Sequence, residues 1–412
     1  MKFRISEIPR LWPIAKRRAG AAVISWVQWL FSDEKLVKDV FGKKHDRRAL
    51  LCHLPETFKS KGKLPKYHSN FTECQVIAKC LDRLGFSVDC STRANSSIDY
   101  SSYELICGIN GNAFMNSFAA DKKIQPLRIF YSVGAETLFN YRETALRNKD
   151  FHDRHGVWML KSNRYIPGDP RTYYEASFSD AVICLGDEYI FSHFVGEDKE
   201  KAKYRWLPAF YFHVAEPAID KDFGTCRRNI LWFGSSGMIH KGLDIAIDFA
   251  VAHPQFTLHI CGGNRQESDF LNYYRPIIEP HVNIIEHGFV DIESEEFALI
   301  LSQCGILLNP SVSEGGAVSV LNVLGNGALF PVYSKATGVD ISHIGICVKE
   351  VTYEAFETAL LQADSVGVDE FARKAWSAHR LVKENYTLES YENNMYMILK
   401  EIIEKKGYCN DK

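Results

Sequence analysis

Two short segments carry residue types and spacings suited to holding an anion beside hydroxyl groups. The first is Phe233-Gly234-Ser235-Ser236-Gly237-Met238-Ile239-His240-Lys241-Gly242-Leu243-Asp244. An apolar run ends in a loop of small residues, and a lysine then meets the start of a helical pattern. Unpaired backbone N–H groups and the positive end of a helix attract anions there, and Lys241 adds a point charge. The order GxxxxGK[ST] of a Walker A loop is missing. The second segment is Asn309-Pro310-Ser311-Val312-Ser313-Glu314-Gly315-Gly316-Ala317-Val318-Ser319-Val320-Leu321-Asn322. An apolar run delivers a carboxylate, and a glycine pair opens an apolar helix. Glycine lets the backbone approach a ligand closely, and a carboxylate accepts hydrogen bonds from sugar hydroxyls. Each segment also has a plainer reading. A Gly/Ser turn before a helix is common, and Glu314 is equally an ordinary first-turn carboxylate that complements the helix dipole.

Both segments sit in a rhythm of strands and helices. From about residue 48, ALLCHLP is a short apolar run, and residues 70–85 have helical spacing through Val76, Ile77, Cys80, Leu81 and Leu84, with Gly85 as the stop. FSVDCS, YELICGIN, LRIFYSVG and DAVICLG follow as further short apolar runs. Continuous apolar strands with polar ends predict a parallel sheet covered on both faces. The basic, proline-flanked stretch 59–66 reads as an exposed loop. The pattern pauses from Tyr204, and Pro208, Pro217 and Gly224 place a domain break at 210–226. A second series then begins: NILWFG, TLHICGG, NIIEHGF, GILLNP, LFPVYS and IGICVKE are strands, with helical patterns between most of them. Alternation at this interval predicts a second doubly wound sheet. The expected organisation is a helical extension over 1–46, one domain over 47–212, a second over 226–368 and C-terminal helices over 369–412 that pack back on the first domain. Two open parallel sheets place a ligand beyond the carboxyl ends of their strands, hence between the domains.

Composition narrows the function classes. The 412 residues hold 49 Lys and Arg against 51 Asp and Glu, a formal net charge of −2. No global basic field exists to gather nucleic acid, so no nucleic-acid partner is expected. Eleven cysteines are scattered without CxxC spacing, many inside apolar runs such as ELICGIN, which predicts buried thiols in a reducing cytoplasm and no metal site. At the N-terminus, Arg10, Lys16, Arg17 and Arg18 precede an apolar stretch from Ala19 to Phe31 interrupted by Ser25 and Gln28. That stretch falls short of the roughly 20 residues needed to span a bilayer. With Trp26 and Trp29 it fits an interfacial helix, so residues 10–31 are expected either to touch an anionic membrane surface at the inner face of the plasma membrane or to dock on the protein's own surface.

Taken together, the two segments resemble the retaining nucleotide-sugar glycosyltransferases of family 4, which have the two-domain GT-B fold. The family pattern is a strand, PSxxEGxG, a helix with a second Glu eight residues after the first, and a small-residue–Gly pair. This chain has NPSVSEGGAVSVLNVLGNG, with Asn326-Gly327 before LFPV. The upstream hallmark, a glycine-rich strand end followed by Lys-Gly and often Asp, is WFGSSGMIHKGLD; CGGN after TLHI and EHGFV after NII match in order and spacing. The resemblance covers roughly 226–345, and the first half only by architecture. It implies that Lys241 contacts a donor diphosphate in the loop Gly234, Ser235, Ser236 and Gly237. Glu314 would bind hydroxyls of the donor sugar near the reacting carbon. The amides of Gly315, Gly316 and Ala317 would hold sugar or phosphate, and the backbone at Phe289 and Val290 would lie beside the base. Such enzymes transfer with retention of configuration, and cationic side chains with amide dipoles stabilise the leaving diphosphate without a metal or other cofactor.

Two departures stand out. The family's second Glu, which binds ribose hydroxyls, is Asn322 here, and the Arg after the strand-end glycine is Ser235 in a loop one residue longer. His240 or Arg265 is the candidate replacement cation. In the first half, Glu136 in YSVGAETLFNYRETALR stands loosely where similar enzymes carry a His; it is read as a helix-start carboxylate ahead of a general base. Arg147 and Arg164 are read as surface salt-bridge partners ahead of acceptor ligands. The expected function is a cytoplasmic, membrane-peripheral hexosyl-type glycosyltransferase that moves a sugar from a nucleoside-diphosphate-sugar to a glycan or lipid-linked acceptor, in bacterial cell-surface polysaccharide synthesis. The alternatives are a weak or silent homologue that binds nucleotide-sugar or glycan in an assembly complex, and an enzyme of this architecture with different chemistry, such as an epimerase. A phosphorylase is disfavoured, since no pyridoxal-binding Lys context is present.

Overall fold

The structure, a computed structural model, describes residues 36–406 except 60–63, 65, 67, 93–97, 110–111, 120–124, 162–174, 197–200 and 264–266. The N-terminal stretch 10–31, Arg164 and Arg265 lie outside the described residues. The described end of the expected helical extension is not helical. Residues Leu36–Val37 form β1, which pairs antiparallel with Phe86–Ser91 (β3) at the edge of the first sheet.

The first sheet has seven strands in the order β1-β3-β2-β4-β5-β6-β7. Its remaining members are β2 (Arg47–Cys52), β4 (Leu105–Gly108), β5 (Leu127–Ser132), β6 (Ala181–Leu185) and β7 (Tyr204–Leu207), all parallel. Helices α1 (Asn70–Arg83), α2 (Asn112–Phe118), α3 (Thr137–His155) and α4 (Glu188–Val195) alternate with them. Every residue of β3, β5 and β6 is buried; β6 accordingly reads as an unbroken apolar run, while β3 and β5 bury Asp89 and Arg128 among their apolar residues. Strand β7 falls in the stretch that reads as a pause. It is an edge strand whose two end residues are buried and whose middle is not, so it lacks the apolar run.

After the one-turn helix α5 (Phe223–Cys226), the second sheet runs β10-β9-β8-β11-β12-β13, wholly parallel. Its strands are β8 (Asn229–Gly234), β9 (Thr257–Gly262), β10 (Ile284–Gly288), β11 (Ile306–Asn309), β12 (Phe330–Ser334) and β13 (Ile346–Val348). Its helices are α6 (Leu243–Ala252), α7 (Ser268–Ile278), α8 (Glu295–Gln303), α9 (Val318–Asn326) and α10 (Tyr353–Ser365). Strand β8 lies between β9 and β11, so the order reverses there, and the loops leaving β8 and β11 emerge side by side at the carboxyl edge.

The final helices join the lobes. Helix α11 (Val368–Asn385) packs on α9, while α12 (Leu388–Lys405) packs on α1 and β7 of the first lobe. Arg205 forks onto Glu401 at 3.1 and 2.9 Å, and the Tyr391 hydroxyl lies 2.9 Å from that of Tyr131. The segment between the domains is itself packed. Phe210, Tyr211 and Phe212 are buried, and Asn326 on α9 accepts the amides of Val214 and Ala215 at 2.7 and 3.0 Å while donating to the Phe212 carbonyl at 2.8 Å.

Candidate active site

The loop after β8 is shaped by a close approach. Gly242 has φ +66°, and a Cβ there would lie 2.5 Å from the Pro310 ring. Only glycine lets this turn press against the end of β11. The contact brings Lys241 onto the segment that follows Pro310. Lys241 Nζ lies 2.9 Å from Glu314 Oε1, with the two side chains 8% and 11% exposed. The same carboxylate oxygen accepts Ser311 Oγ at 2.9 Å, and the Glu314 amide donates to the Ala336 carbonyl at 2.9 Å. Trp232 Nε1 donates to the Lys241 carbonyl at 3.0 Å. Both charged groups are therefore held by their own loops as well as by each other. An ammonium has three donors and a carboxylate about four acceptor sites, so each can engage a ligand while keeping the other.

The pair lines a cleft of about 280 Å³ between the lobes, at the small end of ligand sites, which run roughly 300–1,000 Å³. Gly234, Ser235, Gly315, Gly316, Ala317, Asn322, Phe289 and Val290 share this lining. Phe289 stands at the mouth, 72% exposed.

Several expected roles are altered by the partners found. Ser236 and Gly237 are not among the lining residues. The Gly237 and Met238 amides donate to the Glu267 carboxylate at 2.5 and 2.9 Å, so the chain's own acid fills the anion position of that loop. The Ala317 amide donates to the Thr337 carbonyl at 3.0 Å. Gly315 and Gly316 serve the meeting of the lobes: a Cβ on Gly315 would lie 2.7 Å from Gly134 Cα, and one on Gly316 would lie 2.8 Å from Ala209 Cβ. Asn322 Oδ1 accepts the Phe212 amide at 2.8 Å; the residue expected to face a ribose anchors the interdomain segment.

His240 does not replace the missing arginine. It is fully buried, with Nδ1 3.0 Å from Thr144 Oγ1 and Nε2 2.8 Å from the Ser313 carbonyl. Glu136 is the N-cap of α3; its carboxylate accepts the amides of Leu138 and Phe139 at 2.9 and 2.7 Å, and it does not line the cleft. Arg147 is not on the surface. Its side chain is completely buried against Asp244 of the other lobe, and Arg154 joins the same carboxylate at 2.6 Å. Helix α3 thus clasps the second lobe just behind Lys241.

The opposite wall holds residues that the sequence reading passed over. Lys66, His68, Ser69, Asn70 and Glu73 line the cleft from the loop after β2 and the start of α1. Lys66 Nζ lies 3.2 Å from Glu293 of the other lobe, so the stretch read as an exposed loop reaches the site. Glu73 is 1% exposed and accepts the Tyr131 hydroxyl at 2.9 Å. Burial pushes its carboxyl above the usual range, against hydrogen bonds from Ser69 and Tyr131 that favour the charged form. A signal existed: Glu73 precedes Val76, Ile77 and Cys80 on the apolar stripe of α1, where a carboxylate needs a reason.

No family model matches the chain, and no curated protein does. Among solved structures it is similar to a sucrose-phosphate synthase from Thermosynechococcus elongatus, at 12% identity and a TM-score of 0.61, over 87% of this chain and 100% of that one. It is also similar to HepE from Anabaena in complex with UDP and glucose, at 13% identity and a TM-score of 0.57, over 86% of this chain and 99% of that one. At such identities the likeness is one of fold, and the chain has the GT-B architecture of two Rossmann-like domains facing across a cleft, with a helical C-terminal segment.

Proposed function

We propose that the chain is a glycosyltransferase that moves a hexosyl group from a nucleoside-diphosphate-sugar to a glycan or lipid-linked acceptor with retention of configuration. The observation that supports this reading is the Lys241–Glu314 pair at 2.9 Å in one interlobe cleft. Departure of the sugar leaves charge on a diphosphate, and Lys241 is the cation placed to stabilise it as it develops. Glu314 accepts hydrogen bonds from donor hydroxyls and orients the ring. The acceptor attacks on the face from which the diphosphate departs, and the leaving phosphate takes the acceptor proton. Neither a general base nor a metal is required by this scheme. Lys66 and Glu73 stand on the acceptor lobe's wall, where hydroxyls of the attacking saccharide would bind. HepE, of similar fold, was solved with UDP and glucose, which favours a uridine donor as the first to try. We place the enzyme at the inner face of the plasma membrane, held by residues 10–31, in surface-polysaccharide synthesis. Incubation with radiolabelled nucleotide-sugars and bacterial membranes tests the reading: labelled glycan or lipid is expected, and no turnover of any common donor would contradict it.

A second reading has its own support. The amides of Gly237 and Ala317 are satisfied internally and Asn322 is committed to Phe212, which fits a homologue that binds nucleotide-sugar without transfer. Calorimetric binding of an intact donor with no transfer to membrane acceptors would favour it.

A further inference from the structure

We propose that a second interlobe cleft, on the far side of the Gly186–Gly316–Gly338 contact from Lys241, binds a neutral saccharide. This site is independent of the reading given to the first cleft. Its volume is about 370 Å³, and it lies between β7 and α4 of one lobe and the end of β12 of the other. The two clefts are partitioned by backbone. A Cβ on Gly338 would lie 2.6 Å from the Gly316 nitrogen, and one on Gly186 would lie 3.5 Å from it. Leu185 lines the first cleft and Asp187 the second.

Three features select the ligand class. Trp206 lines the cleft and is 45% exposed, although its Nε1–H is already donated to the Gly186 carbonyl. What it offers a ligand is therefore an apolar ring face. Tyr333 also lines the cleft and is 1% exposed; its hydroxyl makes no well-formed hydrogen bond to the described residues, with the Cys347 thiol and the Ile341 backbone beside it. A buried hydroxyl left in that state is costly, and a ligand oxygen would satisfy it. Asp187 and Asp340 bring acceptor-only carboxylates from opposite lobes. Burial and the Asp340 charge push the Asp187 carboxyl up, in keeping with their shared cleft.

A pyranose fits this set. One face carries C–H groups that stack on an indole, and its hydroxyl rim donates to carboxylates and accepts from a phenol. Phosphates and nucleotides are repelled by Asp187, Glu188 and Asp340. Lys335, which sits 4.4 Å above the Tyr189 ring within the same cleft, offsets part of that acidic charge, and a bound organic cation is the competing outcome of the test.

The test uses saturation-transfer NMR on the full chain with methyl α-D-glucopyranoside and maltotriose as probes. Transfer to ring protons of at least one probe is expected. It should fall at least fivefold in Trp206→Ala and clearly in Asp340→Asn, an exposed position whose change leaves the core intact. It should persist in Lys241→Ala and under excess UDP. Absence of transfer to both probes, its displacement by UDP, or equal signals in Trp206→Ala and wild type would each overturn the proposal. So would preferential binding of tetramethylammonium, which would mark a cation site. Absence of donor turnover by the wild-type chain, with saccharide binding at the second cleft intact, would count against the first cleft alone.

Discussion

Lys241 Nζ and Glu314 Oε1 meet at 2.9 Å although they leave different strands, β8 and β11, and each is about nine-tenths buried. Adjacent parallel strands at the reversal of the sheet order make this meeting possible, because their carboxyl-end loops emerge together. Removing one partner leaves the other charge poorly solvated. Lys241→Met and Glu314→Leu should each destabilise the protein by about 2 kcal/mol, less than a fully enclosed pair because the cleft admits water. The double variant should recover most of that loss. Urea unfolding of the four proteins gives the coupling energy; additive losses would show that the two groups are solvated independently.

The interdomain segment depends on one asparagine more than on its sequence. Asn326 makes three hydrogen bonds to residues 212–215, and its replacement strands buried amides. Asn326→Leu should cost about 3 kcal/mol, at roughly 1 kcal/mol per lost bond, read as a lower urea midpoint. Asn322→Leu, which releases the Phe212 amide alone, should cost about 1–2 kcal/mol. Equal effects would mean that the segment is held chiefly by Phe210, Tyr211 and Phe212.

Much of this arrangement was legible in the residues themselves. Strands β8 and β11 are apolar runs that end at Gly234 and Asn309, so NILWFG and GILLNP announced the loops that carry Lys241 and Glu314. Other features depend on partners that local pattern does not reveal. Arg147 sits among charged residues of α3 and reads as surface until Asp244, 97 positions away, is brought to it. Glu267 looks like a helix-start residue, yet it fills the anion position in the loop that follows β8. Strand β7 is hidden in the sequence because Arg205 and Trp206, the two residues at its centre that are not buried, break up its apolar pattern.

Arg147 makes a prediction of its own. With its guanidinium fully buried against Asp244, Arg147→Met should cost about 3 kcal/mol, since Arg154 still neutralises part of the orphaned carboxylate. Thermal unfolding checks this; a change within about 0.5 kcal/mol, the usual range for surface substitutions, would contradict the clasp between α3 and α6.

Glu73 sets a pH dependence. Its carboxyl is raised in the folded state by burial, so the native protein holds this proton more tightly than the unfolded chain. The stability tied to that proton is fully present below the ordinary glutamate value of 4.5 and is lost as pH rises through the folded-state value. Glu73→Gln keeps an acceptor for Tyr131 and cannot ionise. The variant should therefore gain stability relative to wild type between pH 5 and pH 8, by urea unfolding at each pH. A constant difference across that range would show that Glu73 has an ordinary pKa.

The most direct test of the account is calorimetric titration of UDP-, GDP-, ADP- and dTDP-linked sugars into the wild-type chain and into Lys241→Ala and Glu314→Ala. Saturable binding of at least one donor is predicted, weakened tenfold or more in both variants, about 1.4 kcal/mol. A donor that binds wild type and Lys241→Ala equally, or no binding across the panel, would contradict the claim that this ammonium and this carboxylate share one sugar-diphosphate site.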